Sequence, residues 1–302
     1  MLKRLWIYSK EMYPVIPRLL LGFIVFGEIY FIILLNNGIT DFHLGVQEVV
    51  GGFTVFSFLF WLRIADDLKD YELDCRLFSE RPLPSGRVKK KDIITLAAIL
   101  ITFTTIINFI FMNNFGFFVF LYTYGSLMAI WFFMKHKIQK SLLLAVVTHN
   151  PVQLILNLYI ISFTCIKYDL EPFTLTNALA LLTLYFPALI WEVSRKIRAP
   201  KDETEYVTYS KLFGYKKPVY FVLILTLVDI VTNIILVWNL STLSVILLVI
   251  NVAWMTERFL TFIKDPEKYK IVDKVERYTY IQETIMLITI PVFLYFGRIY
   301  FF

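Results

Sequence analysis

Apolar runs of about 20 residues recur along the chain, each closed by charged or turn-forming residues. They predict helices near 18–36, 45–64, 93–112, 115–134, 141–163, 173–194, 218–238, 241–260 and 279–299. A run of about 20 apolar residues matches the roughly 30 Å of hydrocarbon in a bilayer, and soluble cores do not repeat such runs. The pattern therefore predicts an all-α integral membrane protein, with nine transmembrane helices in one bundle forming a single domain over residues 1–302. No low-complexity linker interrupts it.

Composition agrees: of 302 residues, 58% are hydrophobic and 18% charged, and the mean hydropathy is +0.66. Soluble domains carry about 25% charged residues. A net charge of +6 could point to nucleic acid, but the distribution of cations says otherwise. With the N-terminus in the cytoplasm, 28 of the 30 lysines and arginines fall in cytoplasmic segments or the adjoining helix ends, leaving Lys167 and Arg298 outside. That is the positive-inside pattern of a multi-pass protein, so no nucleic acid is expected as a partner. Merging or splitting one span would scramble the partition. The N-terminal stretch MLKRLWIYSKEMYPVIPRLL has no short apolar core followed by a small-residue cleavage site, and so is not read as a signal peptide. Cys75 and Cys165 are expected on opposite faces of the membrane, which supports neither a disulfide framework nor a thiolate metal site.

Two inside loops are long and charged, 65–92 and 195–217, whereas the outside connections are short. Asp66, Asp70 and Asp74 recur at i, i+4 and i+8, with Asp67 between, so a helix continuing past the membrane would stack their carboxylates on one face. Like charges at that spacing repel by about 0.2–0.5 kcal/mol per pair. Two readings are open: a solvated face neutralised by Lys69 and Arg76, or a site for a hard cation such as Mg²⁺, which takes one or two carboxylates with phosphate oxygens and water. The cluster lies at a membrane exit and runs into Arg81-Pro82-Leu83-Pro84-Ser85-Gly86-Arg87, where proline ends the helix and returns cations toward the acids.

Asp67-x-x-Asp70-x-x-x-Asp74 followed by Glu80-Arg81-Pro82-Leu83-Pro84-Ser85-Gly86 resembles the first signature of the UbiA superfamily of intramembrane prenyltransferases, with Asp66 where that family usually has Asn. Nine spans with signature loops after the second and sixth are similar to that family too, and Lys135, beside His136 and Lys137, resembles its basic pair. The resemblance implies a central cavity opening near the cytoplasmic face. It also implies Mg²⁺ held by Asp66, Asp67, Asp70 and Asp74, and a prenyl diphosphate bound by Arg63, Lys69, Arg81 and Lys135.

The second loop departs from that pattern. Glu192 stands where the family has the first acid of a second cluster, and Lys196 stands where the second acid would be. Glu192 is then at most one further metal ligand, while Arg195, Lys196 and Arg198 either contact diphosphate oxygens or anchor the cytoplasmic side. Tyr209 is the second residue of a Thr-x-Ser-x-x-x-Gly-like segment, Thr208 to Gly214, similar to the family's, and is a candidate substrate contact. Asp202, Glu203 and Glu205 are as well explained by a solvated turn. Asn150, with His149, Gln153 and Asn157, is polar for its depth and suits acceptor binding or helix packing equally. Tyr122, Tyr124, Trp131, Tyr185 and Trp191 could face a carbocation or anchor the interface.

The implied activity is Mg²⁺-dependent ionisation of an allylic prenyl diphosphate and transfer to a lipophilic, aromatic acceptor. The location implied is a bacterial inner membrane. A membrane terpene cyclase, closing the cation on itself, is the alternative. A transporter or non-catalytic lipid-binding relative would place acids at mid-membrane depth, where Asp229, with Asn233 beside it, is the main exception to acids gathered at the cytoplasmic mouth.

Overall fold

Helices supply every regular element longer than one residue in the computed structural model, which describes residues 1–204 and 206–297. Glu205 and Arg298 lie outside the described residues. The helices are α1 (Leu2–Met12), α2 (Val15–Asn36), α3 (Val46–Lys69), α4 (Tyr71–Leu77), α5 (Lys90–Phe111), α6 (Phe115–Ala129), α7 (Lys135–Gln139), α8 (Leu142–His149), α9 (Pro151–Tyr168), α10 (Leu175–Thr183), α11 (Tyr185–Ser194), α12 (Tyr209–Phe213), α13 (Lys216–Val237), α14 (Thr242–Lys264) and α15 (Ile271–Phe296).

Among the described residues, eight segments are long and apolar enough to cross a membrane, where the sequence predicts nine. The exception is the fourth. Its helix, α6, stops after 15 residues at Ala129, because Trp131, Phe132 and Phe133 take φ of 58°, 48° and 59°. That is the left-handed region, costly for residues with a Cβ. Two other spans are broken: Pro151 opens α9 after α8 ends. Pro187 has no N–H to offer the Thr183 carbonyl four residues back, and α10 gives way to α11 there. The charged N-terminal stretch forms a helix of its own, α1, which the apolar pattern does not predict.

The chain divides into two compact units. The first comprises residues 1–27, 42–138 and 162–170, the second 28–41, 139–161 and 171–302. In the first, α3 packs along α5 and against α6, and α1 packs against α5. Hydroxyls and an amide join α3 to α5 through Ser57 and Thr104 at 2.7 Å, and Asn108 Nδ2 donating to Thr54 Oγ1 at 2.8 Å. Gly22 allows close helix approach: a Cβ there would lie 2.7 Å from the Phe56 nitrogen. Lys167 on α9 bonds Glu48 at the start of α3.

In the second unit α13, α14 and α15 pack in succession, and α10 and α11 lie against α13. Ile190, Val219, Val222, Met255, Phe259 and Val275 form its core. The outward residues of α5 and α13, among them Phe109 (73% exposed) and Ile224 (60% exposed), are large and apolar. Apolar surface of that extent needs lipid against it, and the protein is a multi-pass membrane protein.

Candidate functional site

Regular helix ends at Lys69, and Asp70 takes φ −100° and ψ 11° before α4 begins. The hydrogen-bond register nevertheless continues: Asp70 N–H donates to the Asp66 carbonyl and Asp74 N–H to the Asp70 carbonyl, both at 2.9 Å. The expected spacing of one carboxylate per turn therefore survives a local distortion.

Three of the four acids are neutralised by the protein. Asp66 Oδ1 lies 2.8 Å from Lys69 Nζ, and that ammonium sits 4.5 Å over the Trp131 ring. Asp67 is saturated: Arg63 Nη2 donates to one oxygen and the Tyr8 hydroxyl to the other, each at 2.6 Å. Asp74 accepts from Arg81 Nη1 at 2.9 Å. Phe78, under the Arg81 guanidinium at 3.9 Å, and a turn closed by Val88 N–H on the Pro82 carbonyl hold that arginine back over the cluster. The expected return of a cation by the Arg-Pro turn is present.

Asp70 is different. Among the described residues its carboxylate makes no hydrogen bond and no ion pair, although it is half-buried. Burial pushes its pKa upward; Asp66 and Asp74 add to that effect, and Lys69 and Lys135 oppose it. Lys135 thus stands in the electrostatic field of Asp70. Among the described residues no three Asp, Glu, His or Cys side chains converge as a ready-made metal site. Mg²⁺ does not require three carboxylates when phosphate supplies the rest. Asp70 with the second oxygen of one neighbour, Asp66 or Asp74, fits such a partial ligand set, whereas both oxygens of Asp67 already accept a hydrogen bond from the protein.

Tyr8 is a site residue that the apolar pattern does not find. It is fully buried on α1, and burial together with Asp67 raises its phenol pKa strongly. Arg4, one turn earlier, forms a two-pronged pair with Asp92 at 2.5 and 2.9 Å. The sequence signal was the i, i+4 spacing of Arg4, Tyr8 and Met12 ahead of Pro14.

The second loop has the opposite balance. Glu192 binds Arg195 at 2.5 Å and Lys196 at 2.8 Å, so its carboxylate is shared between two cations. Burial disfavours the Arg195 charge, but the Glu192 bond outweighs it and the pKa rises. Arg198 Nη1 donates to Thr204 Oγ1 at 2.9 Å. The Tyr209 N–H donates to the Lys196 carbonyl at 2.9 Å, and its buried phenol is pushed up to about 12, by burial first and the Glu192 charge second. Glu203 is no solvated acid: it accepts from Thr208 at 2.7 Å and Ser210 at 2.5 Å, tying the loop to the start of α12.

Asn150 lies at the break between α8 and α9 with its buried Nδ2 unbonded, while Gln153 donates to Asn157 and Asn157 to the Leu181 carbonyl, both at 2.9 Å. The last two residues therefore serve packing. Asp229 accepts from Gln282 and Asn233, at 2.8 and 2.9 Å, and Asn233 accepts from Thr183 at 2.6 Å. Glu28 and Glu283 also place their carboxyls inside spans α2 and α15. Among the described residues Asp229 is thus not the main mid-membrane exception but one of three, all within the second unit.

No family model matches the chain, and no curated protein matches it significantly. Its fold is similar to a solved structure described as "Structural and mechanistic insights into the biosynthesis of Digeranylgeranylglyceryl phosphate synthase in membranes", with a TM-score of 0.65 at 16% identity over 95% of this chain and 99% of that one. The chain shares the fold of that membrane protein along nearly its whole length.

Proposed function

We propose that the chain is a UbiA-type prenyltransferase that ionises an allylic prenyl diphosphate and passes the prenyl group to a lipophilic, aromatic acceptor. The observation that carries this reading is Asp70: a half-buried carboxylate without a hydrogen-bond or ion-pair partner among the described residues, one turn from Asp66 and Asp74, with Arg81 folded back beside them. The fold likeness to a structure concerned with a digeranylgeranylglyceryl phosphate synthase supports it.

Cleavage of the allylic C–O bond leaves a delocalised cation and pyrophosphate; the acceptor then forms its bond to the cation and releases a proton. Asp70, with Asp66 or Asp74 beside it, would hold Mg²⁺, which when bound would supply positive charge to the diphosphate oxygens. Arg81 and Lys135 stabilise the negative charge growing at the leaving oxygen, and fixed charges of this kind are commonly the largest catalytic contribution. Arg195, Lys196 and Arg198 form the basic side of the second loop, with Arg195 and Lys196 both ion-paired to Glu192. The N-terminus is assigned to the cytoplasm from the one-sided distribution of Lys and Arg.

The test is pyrophosphate release from allylic diphosphates of graded length, with Mg²⁺, by membranes holding wild type or Asp70→Ala. Release by wild type and its loss in the variant are expected; equal release by both overturns the ionisation. A hydrocarbon or terpene alcohol formed without any acceptor would replace the transferase by the cyclase.

A further inference from the structure

Helix α1 has two faces with different owners. Arg4, Tyr8 and Met12 recur at i, i+4 and i+8 on one side, and two of them are bonded into the protein, Arg4 to Asp92 and Tyr8 to Asp67. Leu2, Trp6 and Lys10 recur at the same spacing on the opposite side, with Lys3 beside them. Leu2 is 79% exposed and Trp6 69% exposed, and both lysines are exposed as well. Among the described residues nothing covers this stripe.

Its position says what does. Pro14 separates α1 from α2, whose first turns expose Val15, Ile16 and Leu20. The spanning segment therefore begins three residues after α1 ends, and α1 lies at the membrane boundary. A short helix with Trp and Leu flanked by lysines is the composition of an interfacial helix, which buries its apolar face at the headgroup level and draws anionic lipid to its cations.

We propose that α1 docks its Leu2–Trp6–Lys10 stripe, with Lys3, on anionic lipid headgroups, and that this docking holds the Tyr8 hydroxyl against Asp67. Rotation of α1 about its axis would withdraw Trp6 from the interface and Tyr8 from Asp67 together, because the two residues stand on opposite faces of one rigid turn. Lipid composition then acts on the acidic cluster through Tyr8, a positioning residue. This last consequence rests on the catalytic reading; the docking does not.

Hydrogen exchange of residues 2–12 is to be measured on the full chain in nanodiscs of phosphatidylcholine, with and without phosphatidylglycerol. Each lysine at an anionic surface contributes about fivefold, so exchange is expected to slow by on the order of tenfold with phosphatidylglycerol. The slowing should vanish in the Lys3→Glu/Lys10→Glu variant. Trp6→Ala should speed exchange in both lipids. Equal exchange with and without phosphatidylglycerol overturns the proposal, as does protection that follows protein concentration instead of lipid charge, which would assign the stripe to a second copy. Exchange is read whether or not the chain releases pyrophosphate, so failure here and failure of the catalytic reading are distinguishable.

Discussion

The two long loops are built from the same charges in opposite proportion. In the first, four acids meet three close cations, and after Lys69, Arg63 and Arg81 have bonded, the Asp70 carboxylate is left over. In the second, Glu192 meets Arg195 and Lys196, and the excess is positive. A carboxylate whose two oxygens are both bonded by the protein is structural, whereas one held half-buried without a partner among the described residues is open to a cation. The difference between Asp70 and Glu192 is thus one of pairing, though both are acids near the end of a spanning helix.

The largest expected effect breaks the comparison at its first member. Asp70→Asn should lower pyrophosphate release by on the order of 10²- to 10³-fold, as for other removed electrostatic groups, with the melting temperature unchanged or higher because repulsion from Asp66 and Asp74 is relieved. A fall in stability with release intact would show that Asp70 is structural after all. Glu192→Gln should do the reverse. It leaves the mostly buried Lys196 ammonium without its carboxylate, which costs about 1–3 kcal/mol, while release measured at low temperature stays within about tenfold of wild type. Activity lost at full stability would instead make Glu192 a ligand.

Tyr8→Phe separates the saturated acid of the first loop from the open one. Removing the hydroxyl leaves one oxygen of buried Asp67 unbonded, a cost of about 1–2 kcal/mol, readable as a lowered denaturation midpoint in detergent. The smallest effects are expected at the exposed pairs on the rims of the loops, Glu11 with Arg87 and Lys201 with Glu267. Arg87 holds the Glu11 carboxyl below its ordinary range. Its contribution is therefore present above the unfolded pKa and lost as pH falls through the folded one. Glu11→Gln and Glu267→Gln should each shift melting only slightly, and the shift should disappear in high salt. A large shift at either would mean that the rim, rather than the buried pairs, holds that loop.

Much of this was legible from residue order. The Arg81–Gly86 turn lies where proline requires it, and it returns Arg81 to Asp74 as the spacing implies. The one-turn register of Asp66, Asp70 and Asp74 follows from i, i+4 spacing and is kept by two backbone hydrogen bonds. Glu203 was illegible: a turn after Pro200 looks solvated until Thr208 and Ser210 fold onto it. Glu28 and Glu283 were passed over because a single acid hardly changes the average hydropathy of a long apolar run. The early end of α6 depends on three left-handed residues, Trp131 to Phe133, whose types give no warning.

The sequence by itself determined what local chemistry and solvent preference decide: helices, their membrane setting, the one-sided cations and the acids spaced by one turn. Only the tertiary structure decided which carboxylates are already spent. Asp67 and Asp70 are three residues apart on the same helix end. Yet Tyr8, 59 residues before Asp67, completes one, while among the described residues no long-range donor reaches the other. Saturation depends on which side chains arrive from distant segments, and that information lies in the packing of α1 rather than in the spacing of the acids.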